Sequence, residues 1–145
     1  MSTTRTLSLA PLAALLLILG ACAPRTTDRS VRWVTPEEAQ RAMNDRTGVL
    51  GLGGAPNGIY LDPRNDTKFQ LGHIPGAVHI PFPQIEPMFP TLRDRTVIVV
   101  YATDFSDDDF AVAASKRLLE LGARNVLTIR GGLRAWEQAG NEVAR

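Results

Sequence analysis

The fold class this sequence predicts is a single small three-layer α/β domain, with a central, mainly parallel five-stranded sheet and helices on both faces. Three observations lead there. Short β-prone runs alternate with helical periods, the pattern of a parallel sheet built through helical crossovers. The run Thr96-Val97-Ile98-Val99-Val100-Tyr101 is apolar without alternation, which calls for burial on both faces of a strand. The chain has 145 residues, enough for one domain with one core after an N-terminal export segment is set aside.

The elements follow in order. Residues 31–34 form a short β-prone run. Thr35-Pro36-Glu37-Glu38 then opens a helix, with Thr35 as N-cap, Pro36 at the first helical position and Glu38 closing a capping box. Ala39, Ala42 and Met43 supply its apolar spacing. Residues 48–58 are glycine-rich but lack dinucleotide-binding spacing, because Pro56 and Asn57 stand where a helix should open. They read as a plain loop insertion ahead of a strand at Ile59-Tyr60-Leu61, which ends in Asp62.

Residues 77–80 are the next strand, between Pro75-Gly76 and Pro81, and the proline-studded stretch 82–90 permits at most a short helix. After the 96–101 strand, a helix places Phe110, Ala113, Ala114, Leu118 and Leu121 on one side and stops at Gly122. Residues 126–129 form the last strand. Gly131-Gly132 turns the chain, and a short helix at 133–138 carries Trp136 and ends at Gly140. Ligands of parallel α/β sheets bind beyond the carboxyl ends of the strands, so any chemistry belongs in the loop after Tyr101.

The N-terminus carries Arg5 and then an apolar stretch at 7–21, too short to span a bilayer and laid out as a secretory signal. It closes on Leu19-Gly20-Ala21-Cys22, which resembles the bacterial lipoprotein box. That resemblance implies cleavage after residue 21, acylation of Cys22 and a permanent membrane anchor. Ala23, where an aspartate would signal inner-membrane retention, favours the outer membrane. The expected organisation is a signal at 1–21, the lipidated cysteine and tether at 22–32, and the domain at 33–145, facing the periplasm.

Loss of Arg5 with the signal lowers the Lys+Arg count from 16 to 15 against 15 Asp+Glu, so the mature chain is formally neutral. No basic stripe interleaves with aromatics, which argues against nucleic acid as a partner. Cys22 is the one cysteine, and once acylated it leaves neither a free thiol nor a disulfide.

Several segments in order resemble the rhodanese family of sulfurtransferases. They are Leu61-Asp62-Pro63-Arg64, Gly72-His73-Ile74-Pro75-Gly76-Ala77-Val78-His79-Ile80-Pro81, Val97-Ile98-Val99-Val100-Tyr101, and Arg130-Gly131-Gly132-Leu133-Arg134-Ala135-Trp136. The resemblance implies that the residue after Tyr101 is a cysteine whose thiolate carries sulfane sulfur, cradled by loop N–H groups at a helix start. Here that residue is Ala102. The family's active-site loop corresponds to Ala102, Thr103, Asp104, Phe105, Ser106 and Asp107, Asp62 and Arg64 to a structural pair at a strand end beneath it, and His73 to a structural turn.

No catalytic residue, metal or cofactor is therefore assigned. The run Asp104, Asp107, Asp108 and Asp109 disfavours a bound anion, each carboxylate opposing it by about 3 kcal/mol at ~5 Å and an effective dielectric near ~20. Ser106 as N-cap with Asp109 closing a capping box accounts for the acids structurally. A calcium site on Asp104, Asp107, Asp108 and the Ser106 oxygen is the sharper alternative, without the glycine of a tight wrap.

The leading functional expectation is a catalytically inactive, lipid-anchored binding or adaptor module with a protein partner in the envelope. The alternatives are a sulfurtransferase-type enzyme using a partner's thiol, a hydrolase in the same pocket, and a cation-binding envelope protein through residues 104–109.

Overall fold

The computed structural model describes residues 26–45 and 57–145; the stretch expected to be an export signal, Cys22 and residues 48–56 of the glycine-rich stretch lie outside the described residues. Five strands form one sheet: β1 (Arg32–Val34), β2 (Ile59–Asp62), β3 (Val78–His79), β4 (Ile98–Val100) and β5 (Val126–Ile129). Their order is β1-β5-β4-β2-β3, and every pairing is parallel. Four helices lie between them, α1 (Pro36–Asn44), α2 (Asp66–Leu71), α3 (Ile85–Met88) and α4 (Asp108–Glu120), and α5 (Gly132–Gln138) follows β5. Among the described residues, no helix is long and apolar enough to cross a membrane.

The strand period of two divides the core. Ile98, Val100 and Ala102 point to one face, with Ile59, Leu61, Ile85, Ala111, Ala114 and Leu118. Val97, Val99 and Tyr101 point to the other, with Ala39, Leu127, Ile129 and Trp136. The apolar run around β4 is thus buried from both sides, as its lack of alternation predicts. It also means that Tyr101 and Ala102, adjacent in sequence, serve opposite layers.

Helix α1 starts as its sequence predicts: Thr35 Oγ1 accepts the Glu38 N–H at 3.3 Å, and Glu38 returns a carboxylate to the Thr35 N–H at 2.8 Å. Helix α4 departs from expectation. Its buried stripe is Ala111, Ala114, Ser115 and Leu118, while Phe110 stands outside. The reason is a polar residue turned inward: the hydroxyls of Ser115 and Thr128, both fully buried, lie 2.8 Å apart and satisfy each other between α4 and β5. Counting apolar residues alone rotates the helix away from that pair.

Helix α2 has no counterpart in the expectations. Its six residues bury nothing fully, so no apolar period announces it. It is set by its cap, with the Asn65 side chain accepting the Lys68 N–H at 2.9 Å.

Candidate functional site

The carboxyl ends of β2, β4 and β5 converge on the segment 102–107, and α2 closes over one side of it. Ala102 is fully buried, its methyl group within the α3–α4 core layer. Its carbonyl accepts the Leu133 N–H at 2.9 Å, and the Thr103 carbonyl accepts the Arg134 N–H at 2.9 Å. The first turn of α5 is therefore spent on the backbone of this loop. Gly131 and Gly132, at φ +72° and +55°, make the tight approach possible. The exposed ring of Phe105 lies against Gly131.

The acidic run is folded differently from the sequence expectation. Asp104 caps the turn Phe105–Asp107: its Oδ1 accepts the Ser106 N–H at 2.9 Å and the Ser106 hydroxyl at 2.5 Å. Ser106 is consequently a donor to Asp104 and not the N-cap of α4, which begins at Asp108. An aspartate two residues upstream reaches the serine N–H in a local Asx turn before the helix can form, and this wins over the capping box.

Asp107 meets Lys68 Nζ at 2.6 Å across the gap to α2. Asp108 accepts the Gly131 N–H at 3.0 Å. The hydrogen bonds from Ser106 hold Asp104 below the usual carboxylate range, and the bond from Lys68 does so for Asp107. Burial pushes Asp108 the other way, upward, against the Gly131 N–H.

Three of the four carboxylates are thus engaged by the protein, and Lys68, Arg130 and Arg134 offset their charge. Among the described residues, no three His, Cys, Asp or Glu side chains converge as metal ligands.

Beneath the loop, Asp62 and Arg64 form a buried pair. Asp62 Oδ1 accepts Arg64 Nε at 2.8 Å and Oδ2 accepts Nη2 at 2.5 Å, while Nη2 also donates to the Gly72 carbonyl at 2.7 Å. Burial works against the charged guanidinium, but the bonds with Asp62 outweigh it and its pKa is raised. The guanidinium carbon sits 5.4 Å from the centroid of the Tyr101 ring. The Ile74 N–H donates to the Tyr101 hydroxyl at 3.3 Å, which ties the strand end to the turn before β3.

His73 lies away from Ala102, in the β2–β3 connection. Its Nδ1 faces the Phe69 carbonyl at 3.1 Å, and its backbone bridges to Ala144. His73 and His79 stack against Phe69, with ring centroids 4.0 Å and 4.3 Å away. They hold α2 in place, and α2 in turn carries Lys68 to the loop.

Burial raises both of the chain's tyrosines, Tyr60 to about 12 and Tyr101 further, the Asp62 carboxylate adding to the effect at Tyr101. A phenol proton held more tightly in the folded state stabilises the fold below the ordinary tyrosine value of ~10. That contribution is lost as pH rises toward the folded values. Tyrosinate absorbance is therefore expected to stay silent to pH ~11 and to appear only as the circular dichroism of the fold collapses. Ionisation of either phenol near pH ~10 with the fold intact would contradict this packing.

A cavity of about 410 Å³ opens beside the loop, lined by Pro63, Arg64, Lys68, Phe82, Asp107 and Phe110. A larger hollow of about 850 Å³ lies between β1 and α1, beside Asp45, and includes no residue of the loop. Of the residues beside the loop, the sequence does not single out Lys68 or Phe82, and it gives Phe110 only as a helix core residue. Lys68 and Asp107 are 39 positions apart, and nothing in their spacing links them.

Comparison with known proteins bears on the fold and the family. A family model described as the rhodanese-like domain matches residues 35–139. Over 89 residues, 54% of this chain, the sequence is 33% identical to the adenylyltransferase and sulfurtransferase UBA4 of Candida albicans, though the chain spans only 19% of that protein's length.

Among solved structures, a rhodanese-related protein of Thermoplasma volcanium matches at TM-score 0.60 and 20% identity, covering 78% of this chain and 97% of that one. The thiosulfate sulfurtransferase of Pseudomonas aeruginosa matches at TM-score 0.65 and 21% identity, covering 81% of this chain and 21% of that one. At those identities the structures establish the fold. With the family model spanning most of its length, the chain belongs to the rhodanese-like domain family.

Proposed function

We propose that this rhodanese-like domain binds a partner without transferring sulfur, and that acylation of Cys22 anchors it in the outer membrane with the loop 102–107 as its contact face. The observation that carries the reading is Ala102. The position that the family resemblance gives to the sulfur-carrying cysteine is a methyl group, fully buried, with its carbonyl held by Leu133. A methyl group forms no persulfide, and Ser106, the nearest hydroxyl side chain in the exposed part of the loop, donates to Asp104 rather than to a base. Exposed Phe105 and Phe110 flank the carboxylates, an arrangement suited to a protein surface.

The purified protein is expected to move sulfur from thiosulfate to cyanide no faster than a heat-treated control. Ala102→Cys should gain less than about tenfold over that control, because a thiol in this apolar layer is held in its inert protonated form. Wild-type turnover above the control would sink the non-catalytic reading, and full activity in the variant would show that Ala102 alone separates this chain from a working enzyme. Binding is tested by capture from crosslinked membranes beside the Asp104→Ala/Asp107→Ala/Asp108→Ala protein. A stoichiometric partner lost in that variant is the expected result; a partner retained there places the contact on another face.

A further inference from the structure

The chain joins the domain at one end of α4. Thr26 donates its hydroxyl to Glu120 at 2.7 Å, and Lys116 Nζ reaches Asp28 at 2.9 Å. A short turn at Asp28–Ser30 then leads into β1. Glu120 is the last residue of α4, so this attachment lies at the amino ends of the parallel strands. The loop 102–107 lies at the other end of the same helix. Thirteen residues of helix separate the two ends by about 20 Å.

The attachment end is also basic. Arg29, Arg93, Arg95 and Arg124 are all exposed there. Arg93 and Arg95 stand in the connection into β4, where Arg95 Nη1 donates to the Asn57 amide oxygen at 2.6 Å, and Arg124 precedes β5. Among the described residues, none of these four arginines pairs with a carboxylate, and Asp94 is the one acid in that connection. At the opposite end stand Asp66, Asp104, Asp107, Asp108 and Asp109. Asp28, Asp94 and Glu120 offset part of the positive charge at the attachment end, and Lys68, Arg130 and Arg134 part of the negative charge at the loop end, so the formally neutral mature chain keeps a modest polarity along α4.

We infer that the end carrying Arg29, Arg93, Arg95 and Arg124 lies on the anionic bilayer surface to which Cys22 is anchored, and so holds the loop 102–107 away from the membrane toward its partner. The inference rests on the proposed acylation of Cys22. Three residues stand between Cys22 and Thr26, so four Cα–Cα steps give a reach of at most about 14 Å when fully extended. With Thr26 held to Glu120, that length confines the basic end to the headgroup region. There unpaired arginines meet anionic lipid within a Debye length of about 10 Å. The acidic end stands clear of it.

The test uses the full acylated protein in vesicles mixing phosphatidylglycerol with phosphatidylcholine. Cys22 is blocked by its acyl chain, so Thr96→Cys at the basic end and Asp109→Cys at the loop end can each carry a single fluorophore. With nitroxide-headgroup lipid as quencher, the Thr96 reporter is expected to be quenched at least about threefold more than the Asp109 reporter, given their separation. The difference should shrink in pure phosphatidylcholine, at high salt, and in the surface variant Arg93→Glu/Arg124→Glu. Equal quenching of the two reporters, or stronger quenching at Asp109, overturns the orientation. A difference indifferent to salt and to charge reversal overturns the role of the arginines. Intact mass separates the premise from the inference: a protein without acyl chains removes the anchor itself, whereas an acylated protein with uniform quenching removes only the orientation.

Discussion

Asp62→Ala is expected to lower the stability of the domain by about 3–5 kcal/mol, read as a shift in the urea midpoint with an unchanged slope. Asp62 is fully buried and Arg64 is 3% exposed, so solvent screens neither charge. In the folded protein the carboxylate takes the Arg64 backbone N–H and two bonds from its guanidinium. Without it, the guanidinium keeps the Gly72 carbonyl as a hydrogen-bond acceptor but has no counter-charge. The loss measures an uncompensated buried cation, not the net worth of the pair. Removing both charges together, as in Asp62→Leu/Arg64→Met, should therefore recover much of the stability. A loss below about 1 kcal/mol in the single variant would show that water reaches the guanidinium and that the pair is not the buried support described above.

The second large effect is expected at Gly132. An added Cβ would lie within 2.5 Å of the Ala102 carbonyl carbon, on a backbone at φ +55°. The conformation costs about 1–2 kcal/mol for an L side chain and the overpacking a further 1–3, so Gly132→Ala should lose about 2–5 kcal/mol. Gly140→Ala isolates the first contribution: its φ is +81°, and nothing lies within 4 Å of the added methyl group. It should lose only the conformational part. Thermal melts of the two variants therefore separate strain from contact. If they match, α5 does not press on Ala102 as the backbone bonds to Leu133 and Arg134 indicate.

Much of the fold could be read before any coordinates, and the reasons are local. The capping box at Thr35 and Glu38 acts over three residues, and the apolar run before Tyr101 carries its own statement of burial. The family was legible because its short motifs recur in order along the chain. Helix α2 is not legible in the sequence, because one and a half turns that bury no residue fully leave no period to detect. The inward face of α4 was misplaced because its polar member, Ser115, is satisfied by a residue on another element.

The acidic loop marks the boundary between the two kinds of information. Composition alone places four carboxylates beside the site and makes them a barrier to anions. The structure ties Asp104 to Ser106, Asp107 to Lys68 and Asp108 to the Gly131 N–H, three partners at very different sequence distances. By itself the sequence determined what depends on neighbours along the chain: the order of the strands, the family and the presence of alanine at position 102. Only the tertiary structure decided that Ala102 is sealed in the core, that Lys68 crosses to the loop, and that Thr26 is pinned at the basic end of the domain, opposite the acidic loop. Charge, hydrogen bonding and burial act through space, and the spacing of residues along a chain does not contain the distances on which they depend.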